Sequence, residues 1–85
     1  MWTVRIDPQA AKDIEALDRT AQSRLLKALH RLAADPRAAA NVKALSGPER
    51  AYRLRVGDYR VIYTLRDAEL VVFVVRVGHR REVYR

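Results

Sequence analysis

Apolar and polar positions alternate most cleanly in RAYRLRVGDYRVIY, Arg50 to Tyr63, where the residues between the apolar ones are mostly arginine. Side chains of a strand point to alternate faces, so this pattern reads as a half-buried sheet. Gly57-Asp58 lies between two such runs and suits a two-residue hairpin loop that begins with glycine. Strands are therefore expected over Ala51–Val56 and Tyr59–Arg66. The loop fixes the register: Val56 lies opposite Tyr59, Leu54 opposite Val61, and Tyr52 opposite Tyr63. A third strand, roughly Leu70–Val77, follows a polar turn around Asp67 and Ala68. Its near-continuous apolar character predicts a central strand covered on both faces.

The first half has a different period. WTVRI, Trp2 to Ile6, alternates as a strand and places Trp2 in the core. Asp7 and Pro8 are a helix-start pair, since aspartate caps free N–H groups and proline suits the first helical position. That helix is expected to bury Ala11, Ile14 and Leu17. A second start falls near Asp18 or Thr20. From there Leu25, Leu29 and Leu32, with Leu26 and Ala33 beside them, form one apolar stripe that Asp35-Pro36 closes. His30 reads as a helix-surface residue. Residues 36–50 hold no long periodic pattern, and SGP within them marks a turn. The chain is thus an α+β domain spanning 1–85, in the order β-α-α-β-β-β, with a two-helix hairpin packed on one face of a small sheet.

Composition narrows the chemistry. No cysteine is present, so disulfide and thiolate-metal sites are absent, which fits a reducing cytoplasm. The N-terminus lacks a signal-peptide pattern, and the longest apolar run, Leu70 to Val75, is too short to span a bilayer, so no membrane role is expected. Charge is sorted along the chain. Residues 1–49 carry eight basic and six acidic groups, whereas residues 50–85 carry nine and four, and all nine are arginine. The total of +7 points to a polyanionic partner, nucleic acid or an acidic protein. The alternative is that an arginine-rich composition merely reflects genomic base content, since 14 of the 17 basic residues are arginine.

The hairpin register sharpens the choice. It puts Arg55 opposite Arg60 and Arg53 opposite Ile62, on the face away from the helices. Like charges directly across a strand pair cost a few tenths to about 1 kcal/mol. Either long arginines splay into salt-screened water, or the face is an anion site in which guanidinium groups meet phosphate oxygens in bidentate fashion. Asp58 and Asp67, which could neutralise the cluster, fall in turns. The tail adds Arg80 and Arg81. No His/Asp/Glu set has metal-ligand spacing, no cofactor is indicated, and no phosphate-binding glycine loop or nucleophile-elbow serine is present. Electrostatic catalysis on a phosphodiester remains, with the RNA 2′-hydroxyl as nucleophile. Candidates for proton transfer are Tyr84, whose phenol neighbouring arginines would acidify, and His79, the one imidazole of the tail. Tyr84 also reads as a simple anchor of the tail to the core.

YRLRVGDYRVIY followed by VVFVVRVGHRREVYR resembles the RelE branch of the RelE/ParE toxin superfamily. The resemblance implies the RelE-like microbial RNase fold. It also implies a ribosome-dependent mRNA endoribonuclease that needs no metal and cuts codons in the A site of the 70S ribosome by 2′-hydroxyl attack. By motif, Arg53 and Arg55 take the phosphate-binding pair and Arg60 the stabilisation of transition-state charge. Arg80 takes the proton donation to the leaving 5′-oxygen, and Tyr84 stacks on a base or helps activate the 2′-hydroxyl. Arg81 competes with Arg80 in a tail shorter than in some relatives. Arginine's pKa exceeds about 12, which brings His79 into the proton-transfer set. The implied partners are a RelB-like antitoxin, the ribosome with its mRNA, and, through the antitoxin, the operator of the pair. A ParE-like gyrase poison without nuclease activity is the alternative, and an RNA-binding relic that does not turn over is a third.

Overall fold

The computed structural model describes residues 1–37, 41–45 and 51–79. In chain order the elements are β1 (Thr3–Ile6), α1 (Pro8–Glu15), α2 (Arg19–Leu32), β2 (Val42–Ala44), β3 (Ala51–Val56), β4 (Tyr59–Arg66), a short 3₁₀ turn (Asp67–Glu69) and β5 (Val71–His79). Among these residues one sheet forms, in the order β1-β5-β4-β3-β2. β1 runs parallel to β5, and the other neighbours are antiparallel.

The local chemistry explains the element ends. Asp7 accepts from the Gln9 N–H at 3.0 Å with Pro8 at the start of α1, and Asp18 accepts from the Ala21 N–H at 2.8 Å at the start of α2. Of the two candidate starts for α2, Asp18 is the cap. Gly57 has φ +58 while Asp58 stays at negative φ, which is the type II′ pattern. This turn continues the strand twist, and the register of β3 on β4 is the one expected.

Helices cover one side of the sheet. Ala10, Leu25, Leu29 and Leu32 pack against Leu54, Val61, Tyr63, Val72, Val74 and Val77. Each large aliphatic group so buried contributes about 1.5–3 kcal/mol. Trp2, Ile14 and Leu17 pack against the same cluster. Three expectations change. Ala10, fully buried, is the deepest residue of α1, with Ala11 only half-buried. Leu26 points to solvent, one position off the Leu25–Leu29–Leu32 stripe. β5 is central, but the helices cover only the face holding Val72, Val74 and Val77; Val71, Phe73 and Val75 are half-exposed. β2 was not expected, because three residues are too few to show a period.

Tyr63 carries a polar group into this core. Its side chain is fully buried, its hydroxyl donates to the Pro36 carbonyl at 2.6 Å, and its ring stacks on Tyr52 at 5.6 Å. Burial first, then neighbouring Tyr52, raises its pKa far above the usual phenol value. Pro36 thereby ties the segment after α2 to the middle of the sheet. The next residue extends the tie: Arg37 pairs with Asp67 of the 3₁₀ turn and lies 5.6 Å over the Trp2 ring. Bonding to Asp67 and Tyr52 raises the Arg37 pKa further above its ordinary value.

Leu70 joins the 3₁₀ turn to β5 at φ +52, a left-handed conformation, with its side chain exposed. An L-residue with a Cβ pays about 1–2 kcal/mol there, and asparagine pays less. Leu70→Asn is expected to stabilise the fold by about 0.5–1 kcal/mol, read as a rise in thermal midpoint of several degrees in a chain of this size.

Candidate active site

The sheet face away from the helices carries the cations. Arg55 pairs with Arg60, Arg53 with Ile62, and on the far side of β3 Lys43 pairs with Arg53. Val42 and Leu54 are paired and face the core, so Lys43 shares the open face with Arg53. Four cations thus lie across three strands. Lys43 was missed in the sequence because its strand was missed; the only signal was the alternation of Val42, Lys43 and Ala44.

These cations differ in setting. Arg55 is exposed and its Nε makes a long 3.5 Å contact with the Gly57 carbonyl. Arg53 and Arg60 are half-buried, and the Nε of Arg53 and the Nε and Nη1 of Arg60 have no contact with solvent. Arg60 faces Gly78 on its β5 side, so no side chain opposes it there. A guanidinium that is partly desolvated and held by its neighbours loses less freedom on meeting a phosphate than one free in water. The two carboxylates nearest in sequence among the described residues are engaged elsewhere: Asp58 is in the hairpin turn, and Asp67 pairs with Arg37.

A second device shapes the site from behind. The β4–β5 register runs from Ile62↔Arg76 to Tyr63↔Val74, leaving Val75 as an extra residue in β5. β1 stops pairing at Val74, so the rest of that edge needs another partner. α1 supplies it. One oxygen of Asp13 accepts from the Val77 N–H at 2.9 Å and from Arg76 Nε at 3.0 Å. Burial pushes the Asp13 carboxyl up, but the Val77, Arg76 and Gln9 hydrogen bonds more than offset it, leaving the pKa below its ordinary 3.8. Arg76 is thereby drawn to α1, and Gly78 is held opposite Arg60.

Comparison with known proteins places this arrangement. A sequence model described as "ParE toxin of type II toxin-antitoxin system, parDE" matches residues 4–84. The mRNA interferase toxin RelE of Escherichia coli is 38% identical over 82 residues, covering 92% of this chain and 84% of that protein. The chain belongs to the RelE/ParE family of type II toxins. Among solved structures, the RelE–RelB complex from Pyrococcus horikoshii superposes with a TM-score of 0.83 at 28% identity, covering 95% of this chain and 97% of that one. The isolated E. coli RelE toxin gives 0.80 at 33% identity, covering 99% and 92%. The α+β fold read from the sequence is the RelE-like fold.

In this RelE/ParE toxin, Arg53, Arg55 and Arg60 lie together on the open face. His79 does not join them. It pairs with Tyr59, and the two rings meet edge-on at 6.0 Å, on the side of the sheet opposite Arg60. Strand alternation turned it away, because Gly78 occupies the position beside Arg60. Arg80, Arg81 and Tyr84 lie outside the described residues. Among the described residues no group of three or more His, Asp or Glu could hold a metal ion, and no helix is long and apolar enough to cross a membrane.

Asp13 titrates with a depressed folded-state pKa, so its contribution is full above the unfolded value and is lost as pH falls through the folded one. Asp13→Asn is expected to lower stability by about 1 kcal/mol at neutral pH. The gap should close in acid, where the wild-type carboxyl is protonated and resembles the amide. Urea midpoints of both proteins across this range provide the check; a gap unchanged in acid would mean that the carboxylate charge contributes nothing.

Proposed function

We propose that this toxin inhibits translation as a metal-independent endoribonuclease that cuts mRNA in the ribosomal A site. The observation that carries the reading is the cluster of Arg53, Arg55 and Arg60 on the sheet face that neither described helix covers. A fold gains nothing from opposing Arg55 to Arg60, but a phosphodiester gains two donors. The 2′-oxygen attacks the adjacent phosphorus, the bond to the 5′-oxygen breaks, and a 2′,3′-cyclic phosphate remains. One proton leaves the 2′-hydroxyl and one reaches the 5′-oxygen. Arg60, anchored in β4, stabilises the charge that builds on the phosphoryl oxygens. Arg53 and Arg55 hold flanking phosphates. The proton transfers fall to Arg80 and Tyr84, with Arg81 as a further phosphate contact. His79, turned toward Tyr59, would have to act from the sheet's end. A RelB-like antitoxin, acidic to match the net charge of +7, is the natural restraint. Operator binding through that antitoxin follows the same reading.

Primer extension on a defined mRNA in translating 70S ribosomes tests this. The wild type should give discrete cuts within the A-site codon, and Arg60→Ala should reduce them by about 100- to 1000-fold, the usual effect of removing one transition-state donor. The ParE description of the matching family model favours one other reading, a gyrase poison. Intact message from a preparation that still arrests growth would select it.

A further inference from the structure

The open face carries a second patch at the end of the sheet away from the hairpin. Phe73 of β5 lies between Arg5 of β1 and Thr64 of β4 in the register. It is half-exposed, whereas its neighbours Val72 and Val74 are fully buried on the helix side. The Arg66 guanidinium sits 5.6 Å from the Phe73 ring centre, and Arg5 and Arg66 are both exposed. With Val71 these residues line a shallow concavity of about 520 Å³. Asp7 and Glu69 are on its wall, but the Asp7 carboxylate is engaged in capping α1.

We propose that Phe73, Arg66 and Arg5 form a second nucleotide subsite, in which a base of single-stranded RNA stacks on Phe73 while the two arginines hold the phosphates beside it. This rests on the reading of Arg60 as the cleavage site and extends the RNA path from it. An aromatic ring flanked by guanidinium groups is the pairing that single strands require, because every base has a flat face and every step a phosphate. The patch is continuous with the cleavage cluster. Thr64, opposite Phe73, lies four residues from Arg60 along β4, a separation of roughly 13 Å, which one short strand of RNA spans. Half-exposed Ile62 occupies the ground between them. An acidic peptide would match the arginines but leave the ring without a flat partner. The subsite therefore selects RNA that continues past the cut.

Amide shifts of the full chain, titrated with a 2′-O-methyl RNA hexamer whose blocked hydroxyls prevent cleavage, test the proposal. The amides of Thr64 to Arg66 and Val71 to Phe73 should move together with those of Arg53 to Ile62. Phe73→Leu, which keeps the apolar contact and removes the ring, should weaken binding by about 5-fold or more. Arg66→Ser, at an exposed position that leaves the fold intact, should lower the salt slope of binding by about one. Shifts confined to Arg53–Ile62, with unchanged affinity and salt slope in both variants, overturn the subsite and leave the cleavage reading standing. No response to RNA at any residue also overturns the subsite, and the cleavage reading then stands or falls by the ribosome assay alone. A patch that answers a short peptide alternating glutamate and leucine, but not RNA, is a protein contact, and the proposal fails.

Discussion

Two helices of eight and fourteen residues reach across one face of the sheet, and that limit organises everything else in the described structure. Once Leu25, Leu29 and Leu32 meet Leu54, Val61 and Tyr63, period-two alternation sends every intervening strand residue to the opposite side. In most small sheets that side is filled with threonine and mixed charges. Here it receives Lys43, Arg53, Arg55 and Arg60 near the hairpin, and Arg5 and Arg66 around Phe73 at the other end. The packing that stabilises the core is therefore also what presents the cations.

Carboxylates do the sorting. Asp13 draws Arg76 toward α1, and Asp67 draws Arg37 to the 3₁₀ turn. Both pairs lie where they fasten one element to another. Asp13 is the more consequential, because the same oxygen completes the hydrogen bonding of β5 after β1 has ended. The extra residue Val75 and the Asp13 contact set the phase of the last part of β5. That phase leaves Gly78 beside Arg60 and sends His79 to Tyr59.

Local rules made much of this legible. The glycine-first loop gave the β3–β4 register residue by residue, and with it the opposition of Arg55 to Arg60. The helix caps at Asp7 and Asp18 were visible because capping chemistry is local. What could not be seen depends on contacts between distant parts of the chain. Lys43 joins the site through a three-residue strand whose pairing with β3 has no sequence period. Val75 looks like any residue of an apolar run until its pairing with β4 is known. His79 reads as a neighbour of Arg80 along the chain, yet one step along a strand reverses its face. Asp13 carries no sequence signal of its own, and only the early end of β1 gives it a strand amide to bind.

The parallel pairing of β1 with β5 has a consequence in time. Thr3 finds its partner at Val71, so the first strand and the interior strand it pairs with are separated by nearly everything else in the fold. Closing such a long loop is slow and entropically costly, and the helices have no complete surface to pack on until it closes. During synthesis β1, α1 and α2 emerge while β5 is still being assembled. The strands that bear Lys43, Arg53, Arg55 and Arg60 pair with near neighbours in sequence, whereas the sheet they belong to is completed only when β1 meets β5. The contact that closes the fold is therefore the one between strands from its two ends in sequence.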